Sequence, residues 1–250
     1  MRRAVKRARR PALIAPGLSA LLGVCFLCGL GVWQLQRLAW KEALIARVAM
    51  RMQMSFAPPA PAEAEWPNVN AEADEYRRVR VTGTFRHDLE ALCYELLSDA
   101  KGKFSGPGYW VLTPIETAGG AAVVVNRGFV PLERKDPATR REGQIAGVVT
   151  VTGLLRMPER RSWFTPADDP AHHLWQVRDP AAIAAAYGLA RTSPFFIDAD
   201  ASPPGGLPEG GETKLVFPNR HLEYAITWFG LAFTLVVVFI AFARKQLTSR

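Results

Sequence analysis

Two long uncharged runs bracket this chain, and the pattern between them changes period. Residues 11–35 and 224–243 contain no Lys, Arg, Asp, Glu or His. Each is long enough to cross a hydrocarbon core of about 30 Å as a helix. Apolar residues continue at helical spacing through Leu44, Ile45 and Val48, so the first helix is expected to run outward to about Met54. After a Pro- and Ala-rich loop at 57–67 the period shortens to two. Residues 76–85 alternate apolar and polar positions, and 92–97, 109–115, 121–125, 147–156, 195–197 and 213–217 read as further short strands. Thr117-Ala118-Gly119-Gly120 marks a hairpin-like turn, and the charged, breaker-rich stretch 134–147 reads as a solvated loop. One outer helix is predicted, with Asp179 as N-cap, Pro180 as its first residue and Gly188 as its stop.

The expected architecture is a membrane-anchored α+β chain. Two transmembrane helices flank one antiparallel β-rich domain, a partly closed barrel with at least one helix. The expected divisions are a basic tail at 1–10, a first transmembrane helix at 11–35 and the β-rich domain at 36–220. A second transmembrane helix at 221–243 and a tail at 244–250 follow.

Charge fixes the expected orientation. The sequence has 31 Lys+Arg against 23 Asp+Glu, a formal +8. Nine of the cations lie in the tails: Arg2, Arg3, Lys6, Arg7, Arg9, Arg10, Arg244, Lys245 and Arg250. The segment 36–223 is close to neutral, so no broad nucleic-acid-binding surface is indicated. Basic tails stay inside, which places both ends in the cytoplasm and the β-rich domain outside it. The first apolar run is longer than the h-region of a signal peptide, and a retained anchor is favoured. Only ten residues precede that run, and the reading places the protein in a bacterial inner (plasma) membrane with its main domain in the periplasm.

Candidate chemistry is sparse, and no residue pattern argues for an enzyme. Cys25 and Cys28 form C-x-x-C inside the first span, where hydrocarbon suppresses the thiolate a redox motif needs. Cys93 stands alone and reads as buried. His172-His173 lacks further ligands at suitable spacing, and His87 beside Asp88 reads as a solvated turn. Gly29 and Gly31 read as helix-packing residues. His221 opens the second span, and His221, Tyr224, Ala225 and Trp228 share one helical face. A neutral imidazole there could be a haem ligand, with Arg37, Lys41 and Arg220 near the same level for propionates. Spacing alone favours an interfacial histidine bonded to a head group or backbone, and interfacial belt residues in Trp33, Trp40, Tyr224 and Trp228.

Three motifs change that balance. Gly31-Val32-Trp33-Gln34-Leu35-Gln36-Arg37-Leu38-Ala39-Trp40-Lys41 resembles the first signature of the Surfeit locus protein 1 family. Val124-Val125-Asn126-Arg127-Gly128-Phe129-Val130-Pro131 is similar to its central signature, with Phe129 where many members have Trp. Asn219-Arg220-His221-Leu222-Glu223-Tyr224-Ala225-Ile226-Thr227-Trp228-Phe229 resembles its third. The resemblance implies an assembly factor for haem–copper cytochrome c oxidase that binds haem a as transient cargo and aids its insertion. It implies His221 as axial ligand; the co-location of the first and third signatures at the outer membrane face then sets Tyr224 and Trp228 around the ring, facing Trp33, and Arg37 as the first candidate for a propionate. The implied partners are the oxidase catalytic subunit, the haem a synthase and membrane lipid. The alternative is a haem-independent scaffold for an oxidase assembly intermediate. Asn126-Arg127-Gly128 reads as turn geometry in preference to a docking motif.

Overall fold

A computed structural model of the chain describes residues 13–53, 56–213 and 219–248. The tail cations up to Arg10, Pro11 at the start of the first uncharged run, Met54, most of the expected strand at 213–217, and Arg250 lie outside the described residues. The chain divides into two compact units, Met1–Arg47 with Val216–Arg250, and Val48–Leu215.

The first unit is built on two long helices, α1 (Ile14–Gln53) and α4 (His221–Thr248). At 1.5 Å per residue α1 is about 60 Å long, twice the hydrocarbon thickness, and α4 about 42 Å. Both are long and apolar enough to cross a membrane. Their apolar windows are only 6% and 11% buried, with Leu18, Leu22, Phe26, Phe233 and Val238 facing outward. The core helix of a soluble protein would be buried instead, so the chain has the make-up of a two-pass membrane protein.

Small residues let the two helices approach. Ala225 and Ala232 of α4 are 1% and 4% exposed. Gly17 lies against Phe239, Gly23 against Leu235 and Gly31 against Phe229, which sets the helices antiparallel. Gly29 faces open space, so Gly31 alone of that pair serves the seam. A Cβ at Gly31 would stand 2.6 Å from the Phe229 ring. Gly31→Ala is expected to weaken the helix pair by about 1–2 kcal/mol through overpacking. Phe229→Leu on the same chain should restore most of it. A double-mutant cycle followed by unfolding in mixed micelles checks this.

Among the described residues the second unit holds seven strands: β1 (Arg78–Phe85), β2 (Ala91–Leu97), β3 (Gly106–Glu116), β4 (Ala122–Pro131), β5 (Val148–Arg156), β6 (Leu174–Trp175) and β7 (Thr192–Ala199). The short helices α2 (Ala71–Asp74) and α3 (Pro180–Tyr187) lie between them. The sheet order is β1-β5-β7-β4-β3-β2-β6, and β1 also pairs with β3 through Thr84 and Glu116. Five strands, β1, β5, β7, β4 and β3, therefore close a ring. The ladders are antiparallel except β4–β7 and β2–β6, which are parallel.

Burial explains why each strand reads as it does. β1 alternates buried and exposed positions because one face meets solvent. Val79, Val81, Phe85, Ile115, Val123, Val125, Leu155, Phe195 and Ile197 fill the ring interior. A second cluster, with Cys93, Trp110, Val124, Phe129, Trp175 and Phe196, packs outside it under Ile183 of α3. β4 is thus covered on both faces, and nine of its ten residues are buried. Helix α3 has the expected ends: Asp179 accepts a hydrogen bond from the Ala181 amide, and Gly188 takes the left-handed conformation.

Candidate functional site

His221 and Gln34 meet across the seam between the two membrane helices. The Nδ1 of His221 lies 2.7 Å from Oε1 of Gln34. Gln34 is 8% exposed, although it sits in an uncharged membrane segment. An amide there is costly unless it is hydrogen-bonded, and His221 supplies the partner. The Asn219 side-chain oxygen accepts from the His221 amide at 3.4 Å, at the start of α4. The first and third signatures are therefore joined side chain to side chain.

The other candidates are distributed around this pair. Trp228 is part-buried, on the face of α4 that carries His221 and Ala225. Tyr224 is half exposed at the flank of that face. Trp33 is also half exposed. It precedes Gln34 by one residue, a rotation of about 100° around the helix, and so lies off the seam. The Arg37 guanidinium stacks over the Trp40 ring at 4.6 Å. Arg220 has its Nε 4.0 Å from a Glu223 carboxylate oxygen. Gly31 packs on Phe229 further along the seam, about one turn from Gln34 and two turns from His221.

The central signature is a structural device. Asn126-Arg127-Gly128 lies within β4 and does not form the expected tight turn. Its side chains reach two buried charge clusters. The Asn126 amide donates to Asp198 at 2.8 Å. Arg156 and Arg178 donate to the same carboxylate at 2.8 and 3.3 Å, and the Thr213 hydroxyl donates at 3.0 Å. Arg127, stacked over Phe85 at the end of the ring interior, pairs with Glu90 at 3.4 Å and donates to the Gly143 carbonyl. Glu90 is gripped from the other side by Arg140, whose side chain is wholly buried. The expected solvated loop at 134–147 is corrected here: residues 137–143 form short 3-10 turns that deliver Arg140 to the interior. Burial lowers the Arg127 pKa to about 10, against the opposing pull of Glu90. Of these charged groups the sequence reading singles out only Arg127, within the central signature. Their signal is a lone charge at the end of an apolar strand, as in Phe195-Phe196-Ile197-Asp198 and Leu154-Leu155-Arg156.

Three of the four histidines line one cavity of about 570 Å³ in the second unit, together with Glu90, Leu92, Leu132 and Asp136. His87 is half-buried and not a solvated turn. Its Nε2 lies 2.9 Å from the Ile145 carbonyl oxygen, and burial lowers its pKa. The Nδ1 of His172 faces Asp169, and that of His173 faces the Tyr187 hydroxyl, both at 2.7 Å. Among the described residues no group of three or more His, Cys, Asp or Glu is placed to hold a metal ion. Cys93 is buried, and desolvation pushes its thiol up to about 12, so it is not a nucleophile near neutral pH.

Known proteins share this arrangement of sequence. Surfeit locus protein 1 of Rattus norvegicus is 39% identical over 230 residues, covering 87% of this chain and 72% of its own length. The Homo sapiens protein of that name is 38% identical over 217 residues, covering 82% and 69%. A SURF1-like protein of Drosophila melanogaster is 36% identical over 218 residues, covering 82% and 69%. The family model described as the SURF1 family matches residues 21–233, from the first membrane helix through the barrel into the second. With that match spanning the His221–Gln34 seam and both buried charge clusters, the chain belongs to the SURF1 family.

Proposed function

We propose that this protein is a non-enzymatic assembly factor for haem–copper cytochrome c oxidase. It holds haem a at the outer interface of an energy-transducing membrane and passes it to the catalytic subunit. His221 is the axial ligand, and Tyr224, Trp228 and Trp33 offer aromatic surface at the outer edge of the helix pair. Arg37 and Arg220 are the cations for the propionates. Both chain ends lie in the cytoplasm and the barrel lies in the periplasm of a bacterial cell. The catalytic subunit is the receiving partner and the haem a synthase the supplying one.

The observation that carries this reading is the joining of His221 to Gln34. A histidine that merely touched lipid head groups would need no buried partner on the other helix. A lone imidazole held by an amide oxygen suits a cargo site, because ligating histidines generally donate their second ring N–H to such an acceptor. One protein ligand and a site open at its edge also allow release.

The scaffold reading has one observation of its own. Trp163 is 95% exposed and Phe164 72%, and they stack edge to face on a loop. Large exposed aromatics of this kind anchor protein interfaces.

Purification from a haem-a-producing host, followed by absorption spectroscopy, separates the two. The wild-type chain is expected to carry haem a. His221→Ala should lose at least tenfold in affinity and change the Soret band. A porphyrin-free wild type under saturating supply overturns the carrier reading, and an unchanged His221→Ala spectrum overturns the ligand assignment.

A further inference from the structure

We infer that Gln34 is the positioning residue for His221: its side-chain oxygen holds the ring proton on Nδ1 and so leaves Nε2 as the nitrogen that binds iron. The consequence for iron rests on the haem reading above. The tautomer itself does not.

An amide oxygen only accepts hydrogen bonds, so at 2.7 Å the ring nitrogen facing it must donate. A neutral imidazole has a single N–H. With that proton on Nδ1, the lone pair is on Nε2, which has no hydrogen-bond partner among the described residues. Gln34 is buried in the helix seam, so water does not compete for its oxygen. The burial of Ala225, about one turn from His221, and the close packing of Gly31 on Phe229 beyond it fix the approach of the two helices beside this pair. Gln34 therefore acts on iron through the ligand: a stronger acceptor at this position gives the imidazole more anionic character and favours ferric iron, and an apolar residue does the reverse.

The test uses the full chain in lipid nanodiscs. With 15N-histidine labelling at about pH 8.5, well above the usual histidine pKa, the apo wild type should show His221 with Nδ1 protonated and Nε2 bare. His221→Ala assigns the signal. Gln34→Leu should give a mixture of tautomers, and Gln34→Glu should restore the single one. In the haem-loaded protein, Gln34→Leu should bind 10- to 100-fold more weakly and raise the reduction potential, whereas Gln34→Glu should lower the potential. A purely structural amide would not move the potential in opposite directions in the two variants. Protonation of Nε2 in the wild type overturns the inference, as do loaded variants with unchanged potentials. If the wild type takes up no porphyrin, the haem reading fails, and the tautomer measurement still decides the role of Gln34.

Discussion

Asp198→Ala is expected to destabilise the barrel unit by about 3–5 kcal/mol, the cost of leaving buried charges without their partner. Asp198 is 2% exposed and accepts from Asn126, Arg156, Arg178 and Thr213 at once. Removing it strands two guanidiniums whose side chains are only 12–13% exposed. Each keeps one further carboxylate, Glu75 for Arg156 and Glu159 for Arg178, which limits but does not cancel the loss. Domains of this size have about 5–15 kcal/mol in all, so the variant should be largely unfolded in mild denaturant. Circular dichroism during urea titration of the full chain in detergent measures it. The pH dependence has a definite sign. Burial by itself would raise the Asp198 pKa, but Arg178 and Arg156 overcome it and hold the carboxyl below its ordinary 3.8. A depressed native pKa gives stability that is complete above the unfolded value, near pH 4. It is lost as the pH falls through the native one. The wild type should therefore weaken on acidification below about pH 4, and Asp198→Ala should show a flatter acid limb. An equally steep limb in the variant would assign the acid sensitivity to other carboxylates.

Much of this arrangement is legible in the sequence, and the illegible parts share a physical cause. Helices α1, α3 and α4 and six of the seven strands among the described residues follow from periodicity and caps, because each has a face toward solvent or lipid or a turn residue at its end. Strand β6 has two residues, too few to show a period. The parallel pairing of β4 with β7 is a property of how distant segments meet, and no local pattern encodes it. Buried arginines are the larger failure. Arg140 lies in a polar, breaker-rich stretch, and one-dimensional reading assigns such stretches to solvent. Its burial is tolerable because Glu90, distant in sequence, pairs with it and the Arg134 and Lys135 carbonyls accept its remaining N–H groups. At the membrane seam the situation is reversed. Spacing shows that His221, Tyr224, Ala225 and Trp228 share a face, and the family resemblance singles out His221. Gln34 carries a weaker mark, one amide in a run without charges, and its meaning depends on the antiparallel register that brings it to His221.

Gly128→Val should cost on the order of 4 kcal/mol, from strain and lost hydrogen bonds together. It sits inside β4 at φ +128°, a conformation close to glycine-only. The segment at Glu209 crosses directly over it. Phe129 and Glu209 exchange backbone hydrogen bonds at 2.9 and 2.8 Å, and a Cβ on residue 128 would collide with the Glu209 carbonyl. The only relief is to push the 209 segment away. That segment is itself a clamp, because the Glu209 carboxylate accepts from the Lys103 and Phe104 amides at 2.8 and 3.0 Å. Displacing it frees the loop before β3 and uncovers Phe129, which is fully buried. The loss therefore spreads along a chain of contacts and is larger than that at an open glycine. Gly119→Ala, where nothing lies within 4 Å of the added Cβ, should stay within about 0.5 kcal/mol. Parallel urea titrations of the two variants and the wild type check the contrast, and a Gly128→Val midpoint equal to that of Gly119→Ala would refute it. The same pair of variants separates the roles of the signatures. If the central one serves the barrel and the outer two serve the helix seam, Gly128→Val should lower the amount of folded chain in cells while the His221 ring in the purified chain keeps the tautomer of the wild type. A change of His221 tautomer in Gly128→Val would mean that the barrel signature also shapes the seam.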